Sequence, residues 1–190
     1  LGVDVADSEM EAAWKAFLEG LVARGMKGGE LAISDAHTGL KAALRKVLNG
    51  VTWQRCRVHF MRNAGAKLSK NLQVVWLEKL KCCFASLDQG EALARIRALA
   101  KEAEAKHPDF AKFLDEAAGD VTAFMTFPHE QWRRIHSTNV LERENKELRR
   151  RTDVVGIFPN RASALRLVGS VLCDQHAEWI SAQHPYLKMD

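Results

Sequence analysis

At 190 residues, with 47% apolar and 27% charged residues and a formal net charge of +4, the chain fits one globular domain, or one domain with an inserted subdomain. No apolar run approaches the roughly 18–20 residues of a membrane helix, and the first residues lack the basic-then-apolar pattern of a secretory signal, so no membrane partner is expected. Cys56, Cys82, Cys83 and Cys173 stand at irregular positions, which excludes a secreted disulfide framework and points to reduced thiols in a cytoplasm.

Leu1 to Val5 (LGVDV) alternates apolar residues and predicts a short strand. Asp7 or Ser8 then caps a helix with Trp14, Phe17, Leu18, Leu21 and Val22 on one face, ended by Gly25 and the Gly28-Gly29 pair. Leu31-Ala32-Ile33 reads as a buried parallel strand that delivers Ser34 and Asp35 to its carboxyl end. Leu40, Ala43, Leu44, Val47 and Leu48 mark an amphipathic helix closed by Asn49-Gly50. A strand from Val51 to about Val58 and a helix near Met61 to Leu68 follow. This alternation implies an α/β core with at least partly parallel strands. From about Leu72 to Met125 three helical patterns follow one another without a strand signal, so a helical insertion is expected over 72–126, between core segments 1–71 and 127–190. Val154 to Phe158 reads as an apolar link, and Pro159-Asn160 starts a last helix.

The segment Ser137 to Arg151 (STNVLERENKELRRR) opens with three capping residues and continues without Gly or Pro. With Asn139 as the N-cap, Glu142 falls in the first turn, where a carboxylate meets the positive end of the helix dipole. Glu142, Asn145, Lys146 and Arg149 then share a face. Charge is unevenly spread. From Ala36 to Leu77 there is no Asp or Glu, against Lys41, Arg45, Lys46, Arg55, Arg57, Arg62, Lys67 and Lys70, and a second basic zone runs from Arg133 to Arg166. Two such zones suggest a polyanion partner, most simply nucleic acid; a plain solvated basic surface is the other reading.

Asp35 sits where α/β folds put their working groups, beyond the carboxyl end of a strand. The same residue also fits a local turn-forming role. Paired with Glu142, it offers hard oxygen ligands for a divalent ion near a phosphodiester. Two carboxylates are few, and Asp4 is only a weak third. Cys56-Arg57-Val58-His59 is a C-x-x-H element without an evident second zinc half-site, and on a continuous strand its Cys and His would face opposite ways. No Gly-rich phosphate loop of either common form is present, which weighs against a generic α/β metabolic enzyme.

The stretches LGVDVADSE, LAISDAHTGLKAAL, TWQRCRVHFMRN, FPHEQWRRIHSTNVLERENKELRRRTDVVGIFPN and LRLVGSVLCDQHAEW together resemble the Mutator-type transposases of bacterial insertion sequences. The resemblance implies an incomplete ribonuclease-H-like α/β core, with the all-helical insertion lying between the second Asp and the Glu of an Asp-Asp-Glu set. It maps the second Asp onto Asp35, the Glu onto Glu142, and a Cys-x-x-His motif of unclear role onto Cys56 and His59. It implies Mg²⁺ or Mn²⁺ held by Asp35 and Glu142, and DNA (terminal inverted repeats and target) contacted by Arg55, Arg57, Arg62, Lys146, Arg149, Arg150 and Arg151. It also implies a homo-oligomer on DNA, in a bacterial cytoplasm and nucleoid-associated when bound. In the family the first Asp precedes the segment beginning LGVDV. The chain, which starts at Leu1 rather than Met, is therefore expected to be the C-terminal part of the catalytic domain and inactive or nearly so alone. A non-catalytic DNA-binding or interfering remnant is the alternative.

Overall fold

The computed structural model describes residues 2–6 and 10–181. In chain order the elements are α1 (Glu11–Ala23), β1 (Leu31–Ser34), α2 (Thr38–Val47), β2 (Thr52–Arg55), α3 (Arg57–Gly65), α4 (Lys70–Cys83), α5 (Gln89–Ala103), α6 (Pro108–Thr122), α7 (Trp132–Ile135), α8 (Asn139–Val155) and α9 (Arg161–Ser181). Two short 3-10 turns (Ala123–Thr126 and His129–Gln131) join α6 to α7. The result is a mixed α/β chain that is mostly helical. Among the described residues the sheet has two strands, paired in parallel with Leu31 opposite Thr52 and Ser34 opposite Arg55. Among the same residues no helix is long and apolar enough to cross a membrane.

The chain divides into two compact units. One comprises Gly29–His37 and Gly50–Thr138, and holds both strands and the helices α3 to α7. Its core forms because the apolar positions of α3, α4, α5 and α6 recur at helical spacing and converge. Phe60, Leu80, Ile96, Phe110, Leu114 and Val121 are all fully buried there. Two of these helices have a local reason to begin where they do. Asp88 caps α5 by accepting a hydrogen bond from the Glu91 amide at 2.8 Å, and Pro108 opens α6 at a position that needs no N–H donor. Gln54 is the polar tie between sheet and helices. Its amide nitrogen donates to the carbonyls of Arg55 (2.6 Å) and Val121 (3.0 Å), and its oxygen accepts from the Phe124 amide at 2.7 Å. A fully buried amide is tolerated because both of its ends are satisfied.

The other unit comprises the residues up to Gly28, Thr38–Asn49, and those from Asn139 on, and so holds α1, α2, α8 and α9. Helices α1 and α2 pack together, with Leu18, Ala43 and Leu44 buried, and Lys46 donates to Glu11. Asn160 starts α9 by accepting from the Ser163 amide at 2.9 Å. Asp7 and Ser8, the expected caps of α1, lie outside the described residues.

Three local expectations are corrected. The strand over Leu1 to Val5 is absent from residues 2–6, and Leu1 lies outside the described residues. The backbone groups a neighbouring strand would need are already used: the Val5 amide donates to the Asp4 carboxylate at 2.8 Å, and the Val5 carbonyl accepts from Arg161 Nε at 2.8 Å. Strand β2 stops at Arg55 rather than near Val58, and α3 starts at Arg57. The Arg57 amide, one of the N-terminal donors a helix leaves unpaired, is taken by the His136 carbonyl at 2.9 Å. Finally, α8 begins at Asn139 itself and runs through Val154 and Val155, where the sequence predicts a link. It ends at Gly156, whose φ of +73° is the left-handed conformation that closes helices.

Candidate functional site

The parallel pairing of β1 and β2 brings their carboxyl ends side by side, and both chain segments that follow carry reactive side chains. The Cys56 amide donates to the Ser34 carbonyl at 2.8 Å, extending the ladder one step before the chain turns into α3. Trp53 Nε1 donates to Ser34 Oγ at 2.9 Å across the same end. Asp35 follows directly and projects into solvent, with 63% of its side chain exposed. His59, in the first turn of α3, places Nδ1 3.6 Å from Asp35 Oδ1, an ion-pair separation rather than a hydrogen bond. Cys56 stands three residues earlier, so the helix puts it on the same side as His59. A ring nitrogen of His59 lies within 4.8 Å of Cys56 Sγ. The expectation that these two side chains face apart, which assumed a continuous strand, is thereby overturned.

Cys56 is fully buried, and its sulfur accepts two hydrogen bonds from Thr138, from the amide at 3.4 Å and from the hydroxyl at 3.3 Å. Ser137 and Thr138 are themselves buried. His136 Nδ1 lies 2.9 Å from the Trp132 carbonyl, so this nitrogen carries the proton and donates. Burial pushes the His136 imidazolium below its ordinary 6.5, which keeps the ring neutral at neutral pH.

The cations of this unit differ in what they can reach. Arg62 is exposed on α3. The Arg55 guanidinium lies 4.7 Å from the centroid of Phe113 and 5.5 Å from that of Phe60, and the Arg57 guanidinium 5.1 Å from that of Phe84. Burial draws both guanidinium pKa values below their ordinary range, opposed at Arg55 by the charge of Asp120. Both stay protonated at any physiological pH.

In the other unit Glu142 occupies the first turn of α8 and is half-buried. Lys146 and Arg149 are exposed on the same helix. Arg150 and Arg151 instead converge on Glu147, with Arg150 Nε and Nη2 at 2.9 and 2.8 Å and Arg151 Nε at 3.0 Å. Those hydrogen bonds, from Arg150 first and then Arg151, hold the Glu147 carboxyl down from 4.5 to about 2. Because its folded pKa lies below its unfolded one, the pairing stabilises at neutral pH and fades as pH falls through that interval. A carboxyl-carbon NMR titration is expected to give Glu147 a midpoint near 2, moved upward by Arg150→Gln and by added salt. A wild-type midpoint at the ordinary 4.5 would contradict the pairing. Asp4, the weak third acid, accepts from Arg161 as well as from its neighbouring Val5 amide. Its carboxyl is lowered first by the Val5 amide and then by Arg161.

Thr138 is the residue that sequence reasoning undervalued. By type it is a capping residue, and nothing in a helical pattern reports a sulfur 82 positions away. The only available signal was the pairing of a lone buried-type cysteine with a C-x-x-H spacing at a strand end.

Comparison with known proteins agrees with the motifs. Residues 1–182 match the family described as Transposase, Mutator family. The transposase for insertion sequence element IS1081 of Mycobacterium tuberculosis is 44% identical over 190 residues, covering 100% of this chain and 46% of that protein. The transposase for ISRM5 of Rhizobium meliloti is 40% identical over 190 residues, 100% of this chain and 48% of that protein. The transposase for IS256 in transposon Tn4001 of Staphylococcus aureus is 38% identical over 192 residues, 100% of this chain and 49% of that protein. The chain thus spans about half the length of these relatives. It belongs to the Mutator family of transposases.

Proposed function

We propose that this chain is part of the catalytic domain of a DNA transposase, acting in metal-dependent strand cleavage and strand transfer at the terminal inverted repeats of an insertion sequence. The observation that carries the reading is Asp35, an exposed carboxylate at the carboxyl end of a parallel strand in a member of this family. An exposed carboxylate is a hard oxygen donor that leaves room for an ion's remaining waters, so Asp35 fits Mg²⁺ or Mn²⁺. Glu142, in the first turn of α8, would be the second protein ligand. When bound, the ion polarises the phosphodiester and offsets the charge that develops on its oxygens. In this reading the two strands belong to a ribonuclease-H-like core and α4 to α6 form the helical insertion before the helix that bears Glu142.

The protein's own cations supply the grip on DNA. Arg62, Lys146 and Arg149 are exposed and reach phosphates directly. Arg150 and Arg151 contribute from their fork on Glu147, while Arg55 and Arg57, held against aromatic rings, add fixed positive potential. The partners are the inverted repeats and target DNA, bound by a homo-oligomer associated with the nucleoid.

Binding tests the DNA face. The logarithm of affinity for inverted-repeat DNA is expected to fall linearly with the logarithm of salt, by about 0.9 for each phosphate neutralised. The double variant Lys146→Ala, Arg149→Ala should lower that slope by about 1 per residue removed. Affinity that ignores salt would remove the basic zones from the account. DNA binding without cleavage, even when this chain replaces the matching half of an active relative, would instead favour the non-catalytic remnant.

A further inference from the structure

Cys56 and His59 have no part in the reaction as set out above, yet their side chains occupy defined places at the strand ends. We propose that the turn Cys56-Arg57-Val58-His59 is a positioning element: Cys56 Sγ fixes Thr138, the residue that leads into α8, and His59 orients the carboxylate of Asp35. Each arm has its own geometry. At the Cys56 arm, two donors from one residue converge on one fully buried sulfur, at 3.3 and 3.4 Å. Beside it the Arg57 amide donates to the His136 carbonyl at 2.9 Å. The segment 136–138 is therefore bound to the start of α3 through both main chain and side chain. The two Thr138 donors engage the sulfur lone pairs that a structural metal would need, which favours a hydrogen-bonding role over a zinc half-site.

At the His59 arm, the imidazole side chain is 22% exposed against 63% for Asp35, so a shielded ring faces an open carboxylate at 3.6 Å. One helical turn sets both arms, because Cys56 precedes the first residue of α3 and His59 is its third. The spacing explains the motif: two intervening residues are what a helix start requires for both side chains to emerge on one side. A strand through the same residues would separate them. The His59 arm rests on the reading of Asp35 as a metal ligand; the Cys56 arm does not.

Amide hydrogen exchange on the full chain tests the Cys56 arm. Cys56→Ala is expected to speed exchange of the Thr138 amide by about two- to tenfold, the factor one typical net hydrogen bond represents, and Cys56→Ser to restore most of the protection. Unchanged exchange in Cys56→Ala overturns this arm. Should that variant not fold, Thr138→Val removes only the hydroxyl. Faster exchange at residue 138 then supports the anchor, and unchanged exchange there overturns it. For the His59 arm, Mn²⁺ affinity read by paramagnetic broadening is expected to fall about tenfold in His59→Ala, the scale on which partners of a metal ligand act. His59→Asn should restore it, since the Asn amide nitrogen can stand where Nδ1 stands. Equal affinity of His59→Ala and wild type overturns the arm. Mn²⁺ binding that survives Asp35→Ala overturns the metal reading itself and leaves the Thr138 anchor to be decided by exchange.

Discussion

Asp35→Asn is expected to lower cleavage of inverted-repeat DNA by about 10³-fold or more, measured in a chimera in which this chain replaces the matching half of a relative. The substitution keeps the size and shape of the side chain and removes only its charge. If Asp35 holds the proposed ion, several kcal/mol of electrostatic stabilisation would be lost with it, and each 1.4 kcal/mol is about a factor of ten. Folding should not suffer, because 63% of the Asp35 side chain is exposed and exposed substitutions usually stay within about 0.5 kcal/mol. Glu142→Gln is expected to match it. If the two carboxylates share one ion as proposed, the double variant should be little worse than either single one, since groups that act as a unit do not add. Asp4→Asn provides the contrast. Its carboxylate already serves Arg161 and the Val5 amide, so cleavage should stay within a few-fold of wild type, about the range of a surface substitution. Cleavage by Asp35→Asn at more than a tenth of the wild-type rate would remove Asp35 from the chemistry.

What the sequence revealed depended on how local each cause was. The run Leu31-Ala32-Ile33 placed Asp35 at a strand end, because an apolar run bounded by Gly-Gly and Ser-Asp carries its own signal. The helices over Lys70 to Thr122 were equally legible, since their apolar spacing is written within each segment. Most of the misreadings trace to partners far along the chain. Val3 and Val5 alternate as a strand does, but the Val5 carbonyl is claimed by Arg161, 156 positions on. Strand β2 gives way to α3 at Cys56, where the distant His136 carbonyl takes the Arg57 amide. Arg55 and Arg57 count as free cations in a tally of charge, whereas the rings of Phe113 and Phe84 hold them. Of the site, residue identities were readable and directions were not: Cys56 and His59 share a side only once the helix start is known.

Phe60 carries the other large expected effect, on stability rather than activity. Phe60→Ala should destabilise the chain by about 3–5 kcal/mol, read as a lower urea midpoint at unchanged slope. The ring is fully buried, stacks on Phe113 with centroids 5.2 Å apart, and meets Phe84 edge-on at 6.2 Å. Truncation therefore loses the transfer free energy of the ring, two aromatic contacts and the packing of the void left behind. It also strips one of two rings from beside the Arg55 guanidinium, whose Nε is buried without a hydrogen-bond partner among the described residues. Water entering the void would solvate that group and return part of the loss, which argues for the lower half of the range. Phe60→Leu separates the terms. It keeps most of the volume and should cost less than about 2 kcal/mol, while Arg55 stays dry against Phe113. If Phe60→Leu destabilises as much as Phe60→Ala, the aromatic face toward Arg55, and not core volume, dominates at this position.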